Sequence, residues 1–291
     1  MSWRTVIIAN RCKLDYKMGY MVIRAEETKR VFLDEIATVI IENPAVSLTG
    51  CLLSALSEKK IKVVFCDEKR NPYSELVPLY GCYDCSSKIK QQILWDEEIK
   101  GAVWTEIVTE KIRNQSKLLR DMNRITEYEL LLSYIEQMEF FDETNREGHA
   151  AKVYFNALFG KDFSRNRDCD INAALDYSYA VLLSAVNREV VSCGYLTQLG
   201  LFHDNTFNHF NLSCDLMEPF RIFFDRLIVS EDFILFDSNV KLSIISLLHR
   251  DFVIDGKHQT LINTIKIYVR SVFDALNERN VNLIKFPDYE L

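Results

Sequence analysis

The spacing of apolar residues changes its period once along this chain, and that change limits what it can fold into. Before residue 80 the apolar residues form short β-branched runs or alternate with polar ones. Beyond Asp96 they recur every three to four residues over stretches too long for strands. Period two turns one face of a strand inward, and period 3.6 does the same for a helix. Strands gathered at one end and helices at the other predict an α+β chain. With only 9 glycines and 5 prolines in 291 residues, helix is expected over most of the length.

In the first part, Thr5–Ala9 is a short apolar run. Leu14, Tyr16, Met18, Tyr20 and Val22 alternate with Lys13, Asp15, Lys17 and Gly19, which predicts a strand. Arg30–Leu33 and Ala37–Ile41 read as further strands, and Asn43-Pro44 breaks the pattern. Ser47 is the expected N-cap of a helix reaching about Lys60, with Leu48, Leu52, Ala55 and Leu56 inward. Val63–Cys66 returns as a strand. Pro72 and Pro78, with Tyr73, Tyr80 and Tyr83 nearby, mark the end of this domain. The expected division is a β-rich domain at 1–80, a linker at 81–97 and a helical domain at 98–291.

The net charge of -7 argues against a uniformly basic nucleic-acid binder, but segregated charge can outweigh the total. Eight scattered cysteines and no secretory apolar region at the start predict reduced thiols in a cytoplasmic protein. Cys82 and Cys85 form one CxxC pair; structural zinc needs four ligands, so no zinc site is expected. No apolar run is long enough to span a bilayer.

In the helical part, Trp104, Ile107, Val108 and Ile112 mark one apolar stripe. Arg113, Lys117, Arg120 and Arg124 follow at helical spacing, with Lys111 adding to them and Asp121 opposing. A stripe of one sign repels itself and suits a phosphate backbone; an ordinary solvated face fits the same spacing equally well. Residues 126–141 continue as helix, and 142–146 are a polar break. Glu147 then stands just ahead of a pattern that turns Ala151, Tyr154, Phe155 and Leu158 inward and stops at Gly160. Lys161–Asp168 is a basic loop, and 171–183 a buried helix. His203 ends an apolar run that follows a helix closing near Cys193-Gly194. Asp215 and Glu218 are three apart, so one helical face holds both while Leu212, Leu216 and Phe220 point to the core. Residues 222–291 read as helical, with breaks near 230–232 and 255–256 and a long helix from Lys257 to Leu276.

Two carboxylates and an imidazole suit a hard or borderline divalent ion, Mg2+ or Mn2+, at a phosphoryl-transfer site. Lys152, Arg165, Arg167 and Arg221 are placed to hold a strand. There is no HExxH pair, phosphate-cradling glycine loop or Gly-x-Ser-x-Gly elbow.

Three motifs in order, Glu-Gly-x-Ala-Ala-x-x-Tyr-Phe at 147–155, Gly-Leu-Phe-His at 200–203 and Asp-Leu-Met-Glu-Pro-Phe-Arg at 215–221, resemble the CRISPR-associated spacer-integrase family, most closely its type II members. Ile171–Leu175, Asp225-Arg226 and the segment Ser47–Pro78 with its Asp67-Glu68-Lys69-Arg70 turn fit as well. The resemblance implies a β-sandwich amino-terminal domain that dimerises and an all-α catalytic domain. It implies Glu147, His203 and Glu218 as metal ligands and Asp215 as a supporting acid, His203 being preferred over the nearby His209 for its apolar lead-in. It further implies double-stranded DNA, both captured fragment and CRISPR repeat, and a small homodimeric companion subunit as partners. The expected activity is metal-dependent strand transfer, with endonuclease activity at the same site. A non-catalytic DNA-binding scaffold built on the 113–124 stripe is the alternative, and a structure-specific repair nuclease acting without a partner is a third reading.

Overall fold

The computed structural model describes residues 4–68, 70–76, 84–230 and 235–289. Lys69, Pro78, Tyr80, Cys82, Tyr83, Glu231 and Asp232, named above, lie outside them, so the CxxC pair is seen only at Cys85. The chain divides into two compact units, Met1–Cys85 and Ser86–Leu291.

The first unit is rich in strands. β1 (Arg4–Ile8), β5 (Ile36–Ile41) and β7 (Lys62–Cys66) run parallel, and β8 (Pro72–Leu76) lies antiparallel to β7. A second sheet orders β4 (Thr28–Phe32), β3 (Tyr20–Arg24), β2 (Lys13–Lys17) and β6 (Ser47–Leu48). Parallel neighbours need a crossover, and α1 (Gly50–Glu58) lies in the one between β5 and β7. Leu14 and Met21 from one sheet, Val39, Ile41 and Val63 from the other, and Leu52 and Leu56 from α1 form a single buried cluster.

Two local expectations change here. The alternating run from 13 to 22 is a hairpin, not one strand. Met18 and Gly19 have φ of 50° and 86°, the positive values that a two-residue hairpin turn requires. Leu14 faces Ile23 and Tyr16 faces Met21, so the inward set switches from even to odd numbers at the turn. The cap of α1 is Thr49, whose hydroxyl accepts from the Leu52 N–H at 3.4 Å. Ser47 is taken up instead in the ladder of β6 with β2, where its N–H donates to Cys12 O.

The second unit is helical in the main: α2 (Cys85–Ile93), α3 (Glu97–Asp121), α4 (Ile125–Glu136), α5 (Arg146–Phe159), α6 (Asp170–Ser192), α7 (Asn211–Met217), α8 (Arg221–Ser230), α9 (Ser238–Leu247) and α10 (Leu261–Glu278). α3 starts at an Asp96 cap and is the central element, touching α4, α5, α8 and α10. Its stripe of Trp104, Ile107, Val108 and Ile112 is fully buried, as the spacing predicts. The unit is not all helix, however. β9 (Asp251–Ile254) and β10 (Lys257–Thr260) form a hairpin across Asp255-Gly256, both at positive φ, so the last long helix begins at Leu261 rather than Lys257. An Asp-Gly pair flanked by alternating apolar residues favours this turn over helix. Within the expected linker, α2 buries Gln92. Its amide donates to the carbonyls of Leu196 and Leu199 and accepts from the Leu196 N–H. Among the described residues no helix is long and apolar enough to cross a membrane.

Candidate active site

Glu147 is set in place by the start of α5. Asn145, in the left-handed region at φ 53°, caps the helix by accepting from the Gly148 N–H at 3.2 Å. The buried carboxylate of Asp142 accepts from the Arg146 N–H at 2.6 Å and the Glu147 N–H at 3.0 Å. Acceptors of this kind satisfy the free amides of a first helical turn. Ala150 and Tyr154, three and seven residues further on, share the face of α5 that carries Glu147 and are buried, so that face turns toward the core. Glu147 thus lies in the first turn, one residue inside the helix.

Glu218 lies where α7 passes through the tight turn Glu218–Phe220 into α8. Leu212, Leu216 and Phe220 are wholly buried and draw this segment inward, leaving Glu218 only 2% exposed. A buried carboxylate demands partners, and two cations supply them. Arg221 Nη2 is 2.9 Å from Glu218 Oε1, and Lys111 Nζ is 2.5 Å from Glu218 Oε2. The same Lys111 ammonium is 2.5 Å from Glu147 Oε1. The two glutamate oxygens are therefore no more than twice that distance apart. Burial alone would raise the Glu218 carboxyl, but Arg221 and Lys111 outweigh it and hold the group below its ordinary value. Burial likewise works against the Lys111 ammonium, and Glu218 and Glu147 overcome it and push its pKa up.

His203 comes from the loop between α6 and α7, and Asp215 holds that loop. The Asp215 carboxylate is wholly buried and accepts from the N–H groups of Leu201 (2.6 Å), Phe202 (3.2 Å) and His203 (3.2 Å). Its Oδ1 is also 2.5 Å from His203 Nδ1. With an acceptor at Nδ1, the hydrogen sits there and Nε2 keeps a lone pair. The bond to Asp215 raises the His203 pKa, and burial raises that of Asp215. Gly200 is needed for this fold of the loop, because a Cβ there would meet His203 O at 2.3 Å and Asp215 Oδ2 at 2.8 Å. Phe202 stacks on Trp104 at 4.6 Å, and the imidazole lies edge-on to the same indole.

Glu147 and Glu218 therefore meet at one ammonium, and His203 stands near enough to feel both charges. Among the described residues no three acids, imidazoles or thiols already surround a common point. The donor set nonetheless fits a divalent ion of the Mg2+ or Mn2+ kind, which prefers carboxylate oxygen and accepts imidazole. Glu218 Oε2 adds to the fit: it is buried, and its close contact is the Lys111 ammonium, a cation standing where a metal ion would be attracted.

The other expected residues divide. Asp215 spends both oxygens on the His203 loop and acts through the histidine. Arg221 pairs with Glu218 and lies 4.5 Å over the Tyr179 ring, so it belongs to the acid rather than to an exposed groove. Arg165 donates to Asn172 and Asp176 and packs over Phe155 and Tyr179. Arg113 pairs with Glu110, and Lys117 lies over Tyr289. Arg120, Arg124, Lys152 and Arg167 are exposed. Arg124 is not on the helix of the other three, because α3 ends at Asp121, Asn123 turns left-handed, and Arg124 caps α4. His209 is exposed, and its carbonyl accepts from Thr197. Lys111, grouped with the basic stripe on spacing, is instead buried in the site. Behind it, Tyr154 and Tyr179 donate to Asp225, whose pKa burial lifts to about 6.

The fold of the chain has close counterparts among solved structures. The chain superposes on a casposase bound to integration product with a TM-score of 0.76 at 17% identity, covering 96% of this chain and 92% of that one. It matches a chain of a Cas6-RT-Cas1–Cas2 complex with the same TM-score and identity, over 99% of this chain and 36% of that longer one. The chain belongs to the family described as CRISPR associated protein Cas1, whose family model matches residues 5–231. A relative from Neisseria meningitidis serogroup C (strain 8013), the CRISPR-associated endonuclease Cas1, is 34% identical across 99% of this chain and 97% of its own length.

Proposed function

We propose that this chain is the integrase subunit of a CRISPR adaptation complex. It joins the 3′-hydroxyl of a short captured DNA to a phosphodiester at the edge of a CRISPR repeat, and it acts as an endonuclease when water takes the place of that hydroxyl. The observation that carries this reading is the meeting of Glu147 and Glu218 at one cationic point, in the same unit that holds an imidazole fixed by Asp215. The printed names agree: a relative is a CRISPR-associated endonuclease, and a protein of the same fold is a casposase bound to integration product.

Glu147, Glu218 and Nε2 of His203 are the residues to hold Mg2+ or Mn2+. Such an ion, when bound, neutralises charge at the reacting phosphate and makes an attacking oxygen more acidic. The chain itself supplies position. Asp215 keeps the hydrogen of His203 on Nδ1, and Arg221 orients Glu218. The exposed Arg120, Arg124, Lys152 and Arg167 hold the DNA backbone, with Arg113 and Lys117 at the edge of that surface. The two sheets of the amino-terminal unit form a β-sandwich that joins two copies, and a small homodimeric companion of the Cas2 kind bridges two such dimers in the cytoplasm. A solved relative that contains Cas2 beside Cas1 supports that arrangement.

The test is strand joining by the purified chain with its companion and Mg2+ or Mn2+. Glu147→Ala or His203→Ala abolishes joining, and wild-type rates in either variant refute the site. On the scaffold alternative Glu218→Ala is silent while charge reversal at Lys117 and Arg120 removes all activity.

A further inference from the structure

Lys111 stands on the buried stripe of α3, four residues after Ile107 and three after Val108, where a charge is costly to keep. Its side chain is 10% exposed. Its ammonium approaches one oxygen of each glutamate assigned to the divalent ion, at 2.5 Å in both cases. Arg221 already occupies the other Glu218 oxygen. An ion bound to the same two oxygens at about 2.1 Å would therefore lie within about 4.6 Å of the ammonium. Two cations cannot share so small a buried space without strong repulsion. The two contacts are alike, each a short ion pair between the ammonium and one carboxylate oxygen. Lys111 is a compact ammonium on a flexible four-carbon stem, so it can swing away from both oxygens without moving the helix that carries it.

We infer that Lys111 is a resident counter-cation: it keeps Glu147 and Glu218 together before a divalent ion arrives, and that ion binds by displacing its ammonium from the same two oxygens. The inference rests on the proposed function, which gives both acids to the ion. It makes Lys111 a positioning residue that preserves the carboxylate pair against mutual repulsion, at the expense of weaker ion binding. It explains why a buried lysine lies in a site otherwise built from acids, an imidazole and an arginine.

The test uses the full chain, depleted of metal with a chelator and titrated with Mn2+ alone. Mn2+ binding is followed by its electron paramagnetic resonance signal and by calorimetry. Lys111→Met keeps the length of the side chain and removes the charge. The variant is expected to bind Mn2+ roughly tenfold to a hundredfold more tightly, the equivalent of one charge-assisted contact no longer broken. It is also expected to melt below wild type without metal and to gain more on adding Mn2+. In the wild type, amine acylation read by mass spectrometry should spare Lys111 without metal and label it at saturating Mn2+.

Equal or weaker Mn2+ binding by Lys111→Met, with binding still abolished by Glu147→Gln, overturns the inference and leaves the ion site standing. Mn2+ binding by neither protein, or binding indifferent to Glu147→Gln, overturns both. If Lys111→Met does not fold, the wild-type labelling decides, and Lys111 labelling unchanged by Mn2+ refutes the displacement.

Discussion

Replacing Asp215 by asparagine changes one atom and is expected to undo the loop that carries His203. The Asp215 carboxylate is wholly buried, and four hydrogen bonds converge on it. Asparagine can keep its oxygen toward the Leu201 and Phe202 amides, which share Oδ2. Its NH2 group then faces the His203 N–H and Nδ1, where Oδ1 stood. One backbone N–H is left without an acceptor, at a cost of about 1–3 kcal/mol, and the remaining bonds lose their charge assistance. The expected loss is about 3–5 kcal/mol, and at roughly 2–4 °C per kcal/mol for a unit of this size the melting temperature should fall by about 10 °C. Chemistry should suffer for a second reason. An amide donating to Nδ1 moves the ring hydrogen to Nε2, the nitrogen left free for an ion. Losing such an orienting partner typically costs about 10–100-fold in metal affinity or activity. Melting by circular dichroism, 15N chemical shifts of the imidazole and the rate of strand joining together test this. A variant that melts within about 2 °C of wild type and keeps its hydrogen on Nδ1 refutes the role given to Asp215.

Gly200→Ala attacks the same loop from its backbone. The new Cβ would lie 2.3 Å from a carbonyl oxygen, so the loop must shift, with an expected loss of about 1–3 kcal/mol and faster proteolysis between residues 196 and 210. Asp225 offers a test in pH. Burial raises its carboxyl from an ordinary 3.8 to about 6, so the folded chain binds this proton more tightly than the unfolded one. Its stabilising contribution is complete below pH 3.8 and is lost as pH rises through about 6. Keeping Asp225 ionised at neutral pH then costs about 3 kcal/mol, which Asp225→Asn removes. The stability of that variant relative to wild type should climb between pH 4 and pH 7, measured by urea unfolding, and parallel profiles contradict the assignment.

Much of the fold is readable from local pattern, because burial on one face writes its period into the sequence. Trp104, Ile107, Val108 and Ile112 give the inner face of α3, and Gly160 closes α5 at a φ of 100° where a side chain would be strained. What local pattern misses are events one or two residues wide. Met18-Gly19 and Asp255-Gly256 each reverse the chain within an unbroken alternation or a helical-looking run, and Asn123 ends α3 one residue before Arg124. At the site, Glu147, His203 and Glu218 are visible as types in sequence order, but the meeting of the two glutamates at one ammonium is not. Lys111 shows why. Its two acid partners lie 36 and 107 residues away, and nothing near it announces them. The signal that was available is its position: a lysine three and four residues beyond Val108 and Ile107 falls on the inward stripe, where a charge requires a buried partner.

Gln92 gives the start of the helical unit a mechanical role. Through one amide, α2 grips the chain at Leu196 and Leu199 from both the donor and the acceptor side. Any displacement of α2 drags those two residues with it, and the second of them lies four positions before the imidazole. One side chain thus ties the opening helix of this unit to the segment that leads into the His203 loop, and its removal would release Leu196 and Leu199 together.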